Sequence, residues 1–206
     1  MTTSNKSSLL GLLVVPLLAV TLGLAAPQGE EEGKADETLT VVVPFYGNPN
    51  CPFMGKPVKP DAYIEHEGQK AYFCCSRCKA KAEADPAAVV ARAYAEMETI
   101  ENEFCPVGKH ETSSEKAVEV TFQGHRLTLC CSGCEGKFEK SPNLFLTMAL
   151  HPDAEVLNAE TCPASANAVD ADTHVIIGDK IVRLCCPKCV KAAQADPAAT
   201  LEKASS

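Results

Sequence analysis

The chain has 206 residues, 46% hydrophobic and 22% charged, with a formal net charge of −8, 12 cysteines and no tryptophan. That length suits one or two domains. An acidic chain without clustered Lys and Arg is not built to hold a phosphate backbone, which excludes nucleic acid as a partner; capture of cations is compatible with the charge.

The chain opens on Lys6 and then a run from Leu9 to Leu24 that is almost wholly apolar, followed by Ala25 and Ala26. A positive start, an apolar stretch and small residues are the pattern of an export signal over 1–26. Gly11, Pro16 and Gly23 interrupt the run, and it is short for a bilayer span. The expected location is periplasmic or extracellular. The alternative is an uncleaved N-terminal segment, which would then be the only attachment to a membrane. Residues 27–44 are acidic, polar and Gly-containing at their start and are expected to be a flexible linker.

The remainder is a threefold repeat. The copies start at Cys51-Pro52, Cys105-Pro106 and Cys162-Pro163 and run 22, 24 and 22 residues to a Cys-Cys pair. The pairs are Cys74-Cys75, Cys130-Cys131 and Cys185-Cys186, and a last cysteine follows at Cys78, Cys134 and Cys189. Seven residues later comes Asp85-Pro86, Ser141-Pro142 or Asp196-Pro197, an N-cap acceptor before a proline at the first helical position. All 12 cysteines belong to the repeat, four per copy.

Between Cys-Pro and Cys-Cys the pattern has period two around a glycine turn. Val118, Val120 and Phe122 lead to Gln123-Gly124, then Leu127 and Leu129; Glu67-Gly68 and Gly178-Asp179 mark the same turn in the other copies. Each copy is therefore expected to be a β-hairpin followed by one or two short helices, an α+β unit. The boundaries are 45–98, 99–153 and 154–206. Units of this size bury too little apolar surface to fold unaided and need a staple.

Four cysteines can staple in different ways. As thiolates at a helix start, Cys75 and Cys78, or Cys74 and Cys78, share one helix face, and Cys51 returns from the far end of the hairpin. Four thiolates suit tetrahedral Zn(II), and two or three suit Cu(I), with up to one ion per copy. Adjacent residues normally point apart, so three ligands with a fourth thiol nearby is an open alternative to four. The candidate ligands are Cys51, Cys74, Cys75, Cys78, Cys105, Cys130, Cys131, Cys134, Cys162, Cys185, Cys186 and Cys189. Disulfides are the second possibility in an exported chain. A bond between neighbours is strained, because their Cα atoms lie about 3.8 Å apart and disulfides prefer more than about 4.4 Å. A thiol–disulfide oxidoreductase is a third and weaker possibility, since C-x-x-C occurs without a thioredoxin-like context.

The order Cys51-Pro52-Phe53-Met54-Gly55, Gly68, Tyr72-Phe73-Cys74-Cys75, Cys78, Asp85-Pro86 resembles the YHS and TRASH families of small heavy-metal-binding domains. The other copies keep the cysteines but carry leucine where the aromatic pair stands, and the third also lacks the early glycine. The resemblance spans about residues 45 to 200. It implies a treble-clef-like fold and ligands at the first cysteine and the C-x-x-x-C pair of each copy. It also implies a role in metal sequestration, trafficking or resistance, with metal ions and a metal-transport or metal-sensing protein as partners. Cys75, Cys131 and Cys186 exceed its three-cysteine pattern.

His66, His110, His125, His151 and His174 occupy non-equivalent positions in the repeat and are expected at the surface, any one being able to act as a fourth ligand in its own copy. Met54 and Met97 are expected to pack rather than bind copper, and Glu30-Glu31-Glu32 to be a solvated tail. No catalytic motif is present, and an ion enclosed by four thiolates has no position for a substrate, so no enzymatic activity is expected.

Overall fold

The computed structural model describes residues 39–157 and 160–205, so the expected signal and most of the expected linker lie outside the described residues. Among the described residues the architecture is mixed α+β, with nine short strands and six α-helices. A hairpin followed by two helices recurs three times. The first has β2 (Lys59–His66), β3 (Gln69–Phe73), α1 (Ser76–Ala82) and α2 (Pro86–Ala93). The second has β5 (Val118–Phe122), β6 (His125–Leu129), a 3-10 turn at Ser132–Cys134, α3 (Glu135–Phe138) and α4 (Pro142–Leu150). The third has β8 (His174–Ile177), β9 (Lys180–Arg183), α5 (Pro187–Ala195) and α6 (Pro197–Ala204).

The hairpin turns form because their central residues tolerate left-handed backbone. Glu67-Gly68 and Gln123-Gly124 have positive φ at both positions (49° and 76°, 46° and 80°), the type I′ signature. Gly178 alone is positive, at 60°, in the third.

Short leading strands widen two of the hairpins. β4 (Glu98–Thr99) runs parallel to β6, and β7 (Glu155–Leu157) parallel to β9. β1 (Val41–Val42), within the span expected to be linker, pairs antiparallel with β8. The third sheet thus has four strands, ordered β1-β8-β9-β7.

Each hairpin closes its own core. Ile64, Ala71, Phe73 and Val90 pack with Cys51 and Cys78; Leu127, Leu129 and Leu146 with Cys105 and Cys134; Val175, Val182 and Leu184 with Cys162 and Cys189. The three segments also bear on one another within one compact unit. Leu144 of α4 packs on Ile176 and Ile181 of the third sheet. Tyr46 Oη lies 2.6 Å from Thr147 Oγ1, which lies 2.7 Å from His174 Nε2.

Two expectations are corrected. His174 is buried, at 5% exposure, because it completes that polar chain. Burial holds its pKa below the usual histidine value, and burial does the same to His125 against the opposing charge of Glu98. Ser141 starts α4 but its side chain caps nothing. Asp172 takes the role from the third segment, accepting the Leu144 N–H at 3.0 Å and the Asn143 side-chain amide. Asp85 and Asp196 do cap as expected, accepting from Ala88 N and Ala199 N at 3.1 and 3.0 Å.

Candidate metal centres

Each leading cysteine sits in the same loop. Its N–H bonds to the carbonyl five residues on: Lys56, His110 or Asn167, at 2.8, 2.8 and 2.6 Å. Its carbonyl accepts from the residue four on: Gly55, Lys109 or Ala166, at 2.8, 2.9 and 2.8 Å. Single bridges close the loop at Asn50–Pro57, Phe104–Glu111 and Thr161–Ala168. The loop demands left-handed backbone four residues after the cysteine, with φ of 62°, 59° and 57°. Gly55 adopts it freely; Lys109 and Ala166 do so at a cost of about 1 kcal/mol each.

An asparagine three residues before the cysteine ties the loop to the second hairpin strand. Asn48 donates to the carbonyls of Asn50 and Tyr72 at 2.8 and 3.0 Å and accepts from Tyr72 N at 2.8 Å. Asn102 repeats this with Phe104 and Thr128. Sequence reading missed both, although extending the repeat leftward from Cys51 and Cys105 aligns them.

The second strand delivers the first cysteine of each pair. The second cysteine is the extended N-cap residue of the following helix or 3-10 turn, and the last cysteine lies in the first turn or at its end. The turn from strand into helix between neighbours keeps their sulfurs together rather than apart. Cys74 and Cys75 Sγ are 4.0 Å apart, and Cys185 and Cys186 Sγ 3.7 Å.

Three sulfurs of each copy lie within 4.8 Å of one another: Cys51, Cys74 and Cys78; Cys105, Cys130 and Cys134; Cys162, Cys185 and Cys189. Each triad can hold one metal ion. Cys75, Cys131 and Cys186 stand outside the triads but against them, Cys131 3.9 Å from Cys134 and Cys186 3.6 Å from Cys189. All twelve cysteines are free of disulfides. Within the triads the C-x-x-x-C sulfurs lie 3.9, 3.7 and 3.5 Å apart, close to the edge of a tetrahedron with Zn–S near 2.3 Å, about 3.8 Å, and the leading cysteine lies within 4.8 Å of both. The C-x-x-x-C separations far exceed a disulfide bond of about 2.05 Å.

The protonation pattern is graded. Burial raises the leading cysteines, but backbone N–H donors outweigh it: Cys51, near Cys74, Phe53 and Met54, falls to about 7, and Cys105 falls too. Cys162 also falls to about 7, where burial is outweighed by the Ser165 hydroxyl and the backbone N–H groups of Cys185 and Ala164. Backbone N–H groups at the helix start lower Cys75, Cys131 and Cys186. Burial and neighbouring sulfurs push Cys78 and Cys134 up to about 12. At Cys189 the Ser165 hydroxyl favours thiolate, but burial and the surrounding sulfurs still push it up to about 12. Each group thus holds negative charge unevenly, and a cation bound there displaces the remaining protons.

Among the described residues no helix is long and apolar enough to cross a membrane. No protein-family model, no curated protein and no solved structure matches the chain.

Proposed function

We propose that the protein is an exported, non-enzymatic metal carrier of YHS/TRASH-like type, with three tandem modules each holding Zn(II) or Cu(I) through cysteine thiolates. Its task is sequestration, trafficking or resistance, with hand-over to a metal-transport or metal-sensing protein. The carrying observation is the recurrence of a sulfur triad at single-ion separations, three times, on one loop–hairpin–helix frame. Three linked sites raise the local binding capacity. The half-exposed sulfur beside each triad supports exchange, since a fourth thiol can take the ion before it leaves.

The second reading is a scaffold stapled by metal. It is favoured by the burial of Cys51, Cys105 and Cys162, at 2%, 0% and 1% exposure, in the three cores. The two readings separate on one experiment. Reduced protein loaded with Zn(II) or Cu(I) is counted by native mass spectrometry and then challenged with a chelator. A carrier reaches one ion per site and surrenders it rapidly while its far-UV circular dichroism holds; a scaffold loses fold with metal. Absence of any metal uptake by the fully reduced chain would sink both.

A further inference from the structure

The three cysteine loops share their hydrogen bonds but differ in the residue three positions after the cysteine: Met54, Gly108 and Ser165. In the second and third copies this position borders the sulfurs. A Cβ on Gly108 would stand 2.9 Å from Cys130 Sγ, 3.2 Å from Cys134 Sγ and 3.6 Å from the Cδ2 of His110. At the equivalent place Ser165 sets its hydroxyl 3.2 Å from Cys185 Sγ. Gly108 therefore leaves a gap over the second triad. His110 Cδ2 borders that gap, while its ring nitrogens stand outside the 4.8 Å group of the three sulfurs, so the exposed ring turns inward to reach an ion there. His110 occupies the fifth position after the cysteine, where the other copies have Lys56 and Asn167. The loop constrains only its carbonyl, which accepts the Cys105 N–H, and its side chain is exposed.

We propose that the second site is the nitrogen-donor site of the three, binding Zn(II) through Cys105, Cys130, Cys134 and the His110 imidazole across the gap at Gly108, while the first and third sites take Cu(I) on sulfur alone. The inference rests on the metal-binding reading above. Zn(II) asks for four ligands, and a triad supplies three. Imidazole suits Zn(II), whereas Cu(I) is satisfied by two or three soft sulfurs. Cys131 is the competing fourth ligand, but Cys75 and Cys186 hold its place in the other copies, so it does not distinguish the second site. Gly108 and His110 do. Any side chain at Gly108 meets the Cys130 sulfur and cuts His110 off from the ion.

The test uses the full chain, reduced and anaerobic. With 15N-labelled histidine, the first equivalent of Zn(II) moves the ring resonances of His110 alone among the five histidines. A mixture of Zn(II) and Cu(I) gives one zinc and two coppers by native mass spectrometry. His110→Ala lowers Zn(II) affinity in chelator competition by at least about 10-fold and leaves the Cu(I) count unchanged. Ser165→Gly with Asn167→His, added to His110→Ala, restores tight Zn(II) binding at the third site. Wild-type Zn(II) affinity in His110→Ala, or zinc binding with no movement of His110, overturns the proposal and assigns the fourth ligand to Cys131. A reduced wild-type chain that takes up neither metal overturns the underlying metal-binding reading instead.

Discussion

The first and third hairpins deliver cysteines to the same geometry from opposite surroundings. One cross-strand pair makes the difference visible. Glu65 faces Lys70 in the first hairpin, Thr121 faces Arg126 in the second, and Ile176 faces Ile181 in the third. All three pairs lie on the hairpin face away from the cysteine core. In the first, that face carries exposed Glu65 and half-buried Lys70, whose ammonium lies over the Tyr63 ring, and the sheet stops at two strands. In the third, every residue of β8 is buried, α4 covers Ile176 and Ile181, and β1 and β7 flank the hairpin. The sulfur triad forms in both. The loop, the hairpin and the helix start are therefore what the site requires, and the added strands and α4 serve the assembly of the segments.

Exchanging the two faces breaks the comparison most severely. Ile181→Lys buries a charge against Leu144 and Ile176 without a partner and is expected to cost about 4 kcal/mol or more, measured as a collapse of the urea midpoint. Lys70→Ile, which gives up the Lys70 ammonium over the Tyr63 ring, is expected to cost no more than about 1 kcal/mol. Equal effects would mean that α4 does not cover the third sheet in solution. Metal removal comes next. At free metal a hundredfold above Kd, each occupied site contributes about 2.7 kcal/mol. The first hairpin, with the smaller sheet, depends on it more. Chelation should speed amide hydrogen exchange in β2 and β3 well before β8 and β9; uniform acceleration would show that the four-stranded sheet gives no independent support.

The cysteine framework, the hairpins, their turns and two of three helix caps were legible in the sequence because each is a local rule repeated three times. The junctions were not. The run Val175-Ile176-Ile177 carries apolar residues on both strand faces and so calls for cover, but nothing local names α4 as the cover. Ser141 has the composition of a cap, yet the decisive acceptor, Asp172, comes from the next segment. His174 was expected at the surface because it does not repeat; it is buried because it meets Thr147 of α4 at a junction between segments that the repeat does not contain. The side-by-side sulfurs of Cys74 and Cys75 also escaped strand alternation, because the backbone changes from strand to helix between them.

Smaller effects sharpen the contrast. Asn48→Ala removes three hydrogen bonds around a buried amide and is expected to cost about 1–3 kcal/mol, weakening metal uptake at the first site only. The third copy has Ala159 at this position, outside the described residues. Loss of metal from all three sites alike would refute a local clamp. Acidity acts on the junctions. Burial lowers the pKa of His174 and of His125, so the unfolded chain binds more protons. Their contribution is present above the unfolded value of about 6.5 and is lost as pH falls through it. The slope is at most about 1.4 kcal/mol per pH unit for each group. Metal-free denaturation between pH 7 and 5 should show this decline, and His174→Gln should flatten it.

Asp172→Ala is expected to cost about 1 kcal/mol, that of a lost N-cap. Its value lies in where the loss appears. Asp85 and Asp196 cap helices that follow them directly in the chain, so Asp85→Ala should raise amide exchange in α2 and little else. Asp172 reaches back to the start of α4, and α4 in turn covers Ile176 and Ile181. Its removal should therefore raise exchange in α4 and in β8 and β9 together, although none of those strand amides bonds to its side chain. Exchange confined to the first turn of α4 would mean that the helix holds its place on apolar contacts alone and that Asp172 merely satisfies a backbone donor.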